Sequence, residues 1–208
     1  MTQPEVEIRR AWRHAAGVDH DRLIDGLLLR YREPHRRYHT ATHIMMVVRH
    51  VHEVAAALAR QPSPQLIVAA LYHDAIYDPR AADNEARSAE LADRDLREVG
   101  WSGEQRGAVT TMIAATATHV TDDSGEQTAI LLDADLAILG AEPRAYQAYV
   151  TGVRAEYSFV GDHQWREGRG RVLQSFLDRQ RIFVTEPMRA TREHRARANI
   201  EAELATLR

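Results

Sequence analysis

The sequence predicts an all-α protein, a bundle of helices. Alternating strand patterns are almost missing, and apolar residues recur at helical spacing along the whole chain. The breaks between periodic segments carry Pro, Gly, Asp and Ser, the residues that stop helices and start turns. Two segments, Leu66–Tyr77 and Ala129–Gly140, are apolar nearly all round, as buried helices are. At 208 residues the chain fits one domain, residues 1–208, large enough to bury a real core. That core is expected over about residues 30–140, with C-terminal helices at 143–208 packed on it.

Nine or ten helices are expected. The first, near 4–15, follows an N-terminus without an apolar signal core. The second, near 19–32, has Asp21 in its first turn, where a carboxylate suits the helix dipole. The third, near 41–60, carries His43 on one stripe with Val47, Val51, Val54 and Leu58, its core-facing side. Gln61-Pro-Ser-Pro64 precedes the fourth, near 64–77, which Tyr77-Asp78-Pro79 closes. Asp83 or Asn84 caps the fifth, near 83–99, and Gly100 ends it. The sixth, near 103–118, ends on His119, a residue type favourable to the C-terminal dipole. Asp122-Asp-Ser-Gly125 separates it from the seventh, near 125–139. Glu142-Pro143, Gly161-Asp162 and Glu186-Pro187 open the last three, near 143–159, 162–183 and 187–206. The tenth is rich in arginine, and spaced charges such as Glu193 and Arg197 read as a solvated face.

Composition narrows the function. Hydrophobic residues at 44% and charged residues at 27% are ordinary for a globular chain, and a net charge of −3 gives no footprint for standing nucleic-acid binding. Cysteine is absent, which excludes disulfides, thiolate catalysis and cysteine-ligated zinc. No apolar run approaches the roughly 18 residues of a membrane span, so the default location is cytoplasmic. A twofold homodimer suits a helical chain of this size.

Three core-like segments carry metal-ligand residue types: His43, His73-Asp74, and Asp133 with Asp135. A bare carboxylate in such surroundings is very costly without something positive beside it. No Lys or Arg occurs between residues 107 and 143. A single cation shared by the three segments accounts for all of them, and a structural ion pair to a distant residue is the alternative. Asp133 and Asp135 diverge by about 200° on a helix, so one faces a metal and the other hydrogen-bonds backbone or orients a ligand. The bare His-Asp pair is weak evidence, since His20-Asp21 repeats it in a polar helix start.

In order, His43, His73-Asp74 and Asp135 resemble the His…His-Asp…Asp signature of the HD-domain superfamily of metal-dependent phosphohydrolases, closest to a subgroup of bacterial single-domain proteins of about 200 residues. The similar stretches are Tyr31–His43, Leu71–Pro79, Asp83–Ala89 and Leu132–Gly140, continuing through Val153–Tyr157 and Phe176–Phe183. The resemblance implies an HD fold with His43, His73, Asp74 and Asp135 as metal ligands on the central helices. It selects Asp135 over Asp133 by the Ala134-Asp135-Leu136 context. Two histidines and two carboxylates suit one six-coordinate divalent ion per chain with open positions; Mn, Fe, Co, Ni, Zn and Mg all fit. The implied activity is hydrolysis of a small phosphorylated metabolite, a nucleotide foremost, with no nucleic-acid or membrane partner. The competing readings are a regulatory HD module that binds metal or nucleotide without turnover, and a di-iron HD-type oxygenase.

The resemblance also points to groups around the metal. Arg37 and His39, and less so Arg36, precede the His43 helix and are candidate phosphate contacts, with plain surface cations the alternative for Arg36 and Arg37; if the turn is already helical, His39 sits one turn below His43. Asp78 falls where pyrophosphate-cleaving relatives carry an acidic pair, of which Tyr77-Asp78 keeps half; it serves proton transfer or caps the turn before Pro79. Glu85 is a general acid/base or a first-turn residue. His119 is a phosphate contact, a ligand to a second metal, or a dipole partner. Arg154 reaches the pocket, while the tyrosines around it and Glu156 fall at packing spacing.

Overall fold

The computed structural model describes residues 1–17, 20–120 and 125–207. Among them every regular element is helical: α1 (Gln3–Ala16), α2 (Asp21–Arg30), α3 (Ala41–Ala57), α4 (Pro64–Tyr72), α5 (Asn84–Glu98), α6 (Gly103–Ala115), α7 (Glu126–Asp135), a 3₁₀ turn (Leu136–Gly140), α8 (Pro143–Glu156), α9 (Asp162–Leu177) and α10 (Glu186–Leu207). The expected break at Asp122–Gly125 lies outside the described residues except for Gly125. That glycine precedes α7 with φ of 86°, a backbone angle that side chains disfavour.

Helices α3, α4 and α7 lie at the centre. Helix α1 crosses α3 and α4, α6 packs on α4 and α5, and α10 packs on the 3₁₀ turn and α9. The stripe expected on α3 is the buried one: Val47, Val51 and Val54 are buried with His43. Helix α4 is buried from Leu66 through Tyr72. No described helix is long and apolar enough to cross a membrane.

Helices α4, α7 and α9 end at least four residues before periodicity predicts, α4 and α9 where side chains capture the backbone. Helix α4 stops at Tyr72, not near 77. The buried Arg36 guanidinium donates to the carbonyls of Asp74 (2.8 Å) and Ala75 (3.1 Å), and Tyr31 Oη donates to the Leu71 carbonyl at 2.6 Å. These donors serve orphan carbonyls that a continuing helix would have bonded itself. Arg36 also donates to the His39 carbonyl and to Glu33, so it is a structural clamp between two loops and not a phosphate contact. Arg36→Ala is expected to destabilise the protein by about 2–3 kcal/mol, since buried carbonyls lose their donors. Chemical denaturation checks this, and an unchanged midpoint would contradict the clamp.

Helix α9 stops at Leu177, not near 183. Glu193 accepts the backbone N–H groups of Ile182 and Phe183, and Asp133 accepts those of Val184 and Thr185. Helix α7 stops at Asp135 and tightens into the 3₁₀ turn, which ends on Gly140. A side chain at Gly140 would meet Arg192 at 2.6 Å (Cβ) and 2.8 Å (O), so glycine is what lets α10 lie against the turn.

Arg197 and Glu193 of α10 pair at 2.9 Å but are not the solvated face expected: both are half-buried, with Glu193 on the Ile182 and Phe183 N–H groups and Arg197 on the Leu177, Arg179 and Gln180 carbonyls. Exposed positions such as Thr191 and Glu201 leave the helix partly solvated. One face is not. Glu203 is buried and takes a two-point ion pair from Arg169 of α9 (2.7 and 3.0 Å) together with Tyr146 Oη of α8 (2.5 Å). Arg169 also donates to Tyr149 Oη at 3.0 Å. The Tyr149 ring meets the Tyr38 ring at 4.7 Å, and Tyr38 meets His43 at 4.8 Å. The C-terminal helices are thereby joined to the centre of the bundle by a continuous polar and aromatic chain.

Candidate metal centre

Three central elements converge on one point. His43 comes from the first turn of α3, His73 from the residue that ends α4, and Asp135 from the last residue of α7. Their donor atoms all lie within 4.8 Å of one another, and this group can hold a metal ion. His43 Nε2 is 3.3 Å from His73 Nε2 and 3.2 Å from Asp135 Oδ1; His73 Nε2 is 3.5 Å from the same oxygen. Asp74 Oδ2 approaches both imidazole nitrogens at 3.3 Å, although Asp74 stands outside the mutually close set. Ligands bound at about 2.0–2.3 Å stand about 2.8–3.7 Å apart around one octahedral or tetrahedral ion, and the observed separations fall within that range.

The imidazoles are oriented for a cation. His73 Nδ1 lies 3.0 Å from the Ala70 carbonyl, which only accepts, so Nδ1 carries the proton. In the neutral ring, Nε2 then presents a lone pair toward two carboxylates. A shared proton or metal ion relieves that repulsion. Burial pushes both imidazoles down, and hydrogen bonds and charge from Asp135 and Asp74 overcome it: His43 is raised and His73 is raised well above the usual range. Burial likewise pushes Asp74 and Asp135 up, but the facing histidines hold both well below the usual carboxylate range.

Asp135 uses its two oxygens differently. Oδ1 faces the cluster, and Oδ2 receives His119 Nε2 at 2.8 Å. His119 has φ of 49°, unusual for a residue with a side chain, and Arg179 holds its carbonyl at 2.8 Å and that of Thr118 at 3.0 Å. The strained turn after α6 aims His119 at Asp135, a contact that none of its three sequence readings named.

Asp133 points away, as helical geometry requires. It is fully buried, and its oxygens accept the N–H of Val184 (2.7 Å) and the N–H and Oγ1–H of Thr185 (2.7 and 2.6 Å). Burial raises its pKa despite these donors. It ties the start of α10 to α7 and takes no part in the cluster.

No family model, curated protein or solved structure matches the chain.

His39 reaches the cluster by a route other than the one expected. Helix α3 begins at Ala41 after the cap Thr40, so His39 is outside it. Glu156, the last residue of α8, places it. Oε1 accepts the three successive N–H groups of Arg37, Tyr38 and His39 at 2.7, 2.8 and 2.9 Å. Oε2 takes His39 Nδ1 at 2.7 Å and Tyr77 Oη at 3.0 Å. Burial pushes Glu156 up, and His39 with the backbone donors overcomes it, holding Glu156 at about 2. The His39 ring lies 4.3 Å from Tyr77 and 5.6 Å from His43. Glu156 is the residue that sequence reasoning passed over. Its signal was position: Tyr149, Val153 and Glu156 share one stripe of α8, and a carboxylate on a buried stripe needs partners.

The remaining expected residues lie at varying distance from the cluster. Arg37 is exposed, with its guanidinium on the Pro34 and Arg36 carbonyls. Asp78 is exposed and accepts Arg80 N–H at 2.9 Å, which is the turn-capping arrangement before and after Pro79. Glu85 sits in the first turn of α5 and is half-buried. Arg154 is not brought to the cluster: it donates to the Tyr157 and Val160 carbonyls and to Asp162, and stacks on Trp165.

Proposed function

We propose that the protein is an HD-type metal-dependent phosphohydrolase acting on a small phosphorylated molecule. The observation that carries this reading is the convergence of His43 Nε2, His73 Nε2 and Asp135 Oδ1 within 3.5 Å, with the His73 tautomer set by Ala70. Asp74 completes the donor set. Among the described residues this is one group, which favours one ion per chain over a di-iron centre. A divalent ion there supplies Lewis acidity and a water of lowered pKa.

The chain's own residues supply the rest. His119 fixes the Asp135 carboxylate in the rotamer that faces the imidazoles. Glu156 holds the His39 ring through Nδ1 and leaves Nε2 as the nitrogen that exchanges a proton with a bound phosphoester. The protonated His39 donates to the leaving oxygen, and Glu156 stabilises its charge. The backbone clamp of Glu156 on residues 37–39 keeps that ring at a fixed distance from His43.

Protein loaded with Mn²⁺, Co²⁺ or Ni²⁺ should release inorganic phosphate from at least one class among nucleotides, sugar phosphates and aryl phosphates. His39→Gln should keep its metal and lose about 100-fold or more in kcat, the usual weight of a general acid. Metal-replete protein that releases no phosphate from any class would overturn the proposal.

A further inference from the structure

We propose that the cleft beside the cluster takes an organic phosphate with a flat apolar body and a second anionic group, the latter held by Arg192 about two helical turns from the metal ligands. This rests on the reading of the cluster as the phosphate end.

The cleft has a volume of about 960 Å³ and is lined by α3, α8, α10 and the 3₁₀ turn. Helix α3 forms one side of it. His43, Met46, Val47 and His50 line it at spacing i, i+3, i+4 and i+7, so the stripe from His43 to His50 is about 10 Å long. Its middle is apolar. The edge-to-face pair Tyr38 and Tyr149 and the residues Met46 and Ile138 line it, and Met46 is exposed, as a side chain awaiting a ligand would be. Such walls suit a flat apolar body and offer little to a polyhydroxylated one.

The far end is cationic. Arg192 is half-buried, and its guanidinium donates to the neutral Ala137 carbonyl at 3.2 Å. Among the described residues no carboxylate lies within ion-pair distance of it. Arg195, one turn on, is committed to Glu142 at 3.0 Å, and Arg37 to its own loop carbonyls. The contact of Gly140 with the Arg192 backbone fixes where this guanidinium starts. Its charge is felt at His50, whose imidazole burial already pushes down. Glu53 acts on it only from beyond ion-pair distance and is itself hydrogen-bonded to His50 at 2.8 Å, so this partly desolvated guanidinium faces the cleft without a close counter-ion and is a two-point receptor for carboxylate or phosphate.

The test is calorimetric, on Mn²⁺-loaded protein, with two aryl phosphonates of the same body. One ends in a carboxylate about 10 Å from phosphorus, and the other ends in a methyl group. The carboxylate compound should bind about tenfold more tightly. Arg192→Met should bring the two to parity without changing metal content or the affinity of the methyl compound. Equal affinities in the unmodified protein, a preference that survives Arg192→Met, or no binding of either compound would overturn the assignment. Preferential binding without hydrolysis of the matching phosphate esters would sustain the cleft assignment and overturn the hydrolase reading. Hydrolysis without preference would do the reverse.

Discussion

Asp135→Ala should strip the protein of its metal while leaving it folded. The carboxylate contributes one oxygen to the His43–His73 group and receives His119 on the other, so its loss removes a donor and frees a neighbour that positioned it. Disturbing a residue that only orients a ligand typically lowers metal affinity about 10–100-fold, and removing a ligand is expected to lower it by about 100-fold or more. Phosphate release should fall with it. Metal analysis after dialysis, with titration calorimetry for the residual affinity, reads the effect. A variant that keeps full metal content would remove Asp135 from the ligand set. Alanine is the informative substitution, since asparagine retains an oxygen in place.

Asp133→Ala, two residues away, should do the opposite. Here three donors, the N–H groups of Val184 and Thr185 and the Thr185 hydroxyl, lose their acceptor in a place without solvent. Each unsatisfied buried donor costs about 1–3 kcal/mol, and neighbouring terms do not simply add, so a loss of about 3–5 kcal/mol is expected. The start of α10 would loosen from α7, carrying the Arg169–Glu203 and Arg192 contacts with it. Denaturant unfolding measures the loss. Below the transition, the folded fraction should bind metal as the unmodified protein does. Metal affinity that falls in proportion to that in Asp135→Ala would mean that the two carboxylates act together.

These two aspartates also show how far the residues alone could be read. That one would serve a cation and the other the backbone follows from the 100° step of a helix and the cost of a bare buried charge. Asp135 was selected by its context, not by geometry. The partners of Asp133 were illegible, because Val184 and Thr185 lie some fifty residues on, in the gap between the expected ninth and tenth helices, where periodicity carries no information. The same limit explains the early ends of α4 and α9. Periodicity registers which face is apolar, and it does not register a guanidinium or carboxylate from another part of the chain that captures backbone groups.

Glu156 is the fullest case. Its place on the buried stripe of α8 was visible, and its role was not. The role exists only once residues 37–39 are folded into a turn that presents three successive N–H groups to one oxygen. The His39 ring is oriented in the same way, by Glu156, whereas the His73 tautomer is set locally by the Ala70 carbonyl three residues back.

What the sequence determined by itself is the all-α class, the order of the helices, and the segments that carry His43, His73, Asp74 and Asp135. Those follow from local periodicity and from punctuation by Pro, Gly and capping residues. What only the tertiary structure decided is which nitrogen and which oxygen face the centre, which arginine is a clamp and which is open to a cleft, and where each helix stops. Apart from the His73 tautomer, set by a carbonyl three residues back, those depend largely on hydrogen bonds between groups from about 10 to 119 residues apart, whose directions exist only after the helices have packed.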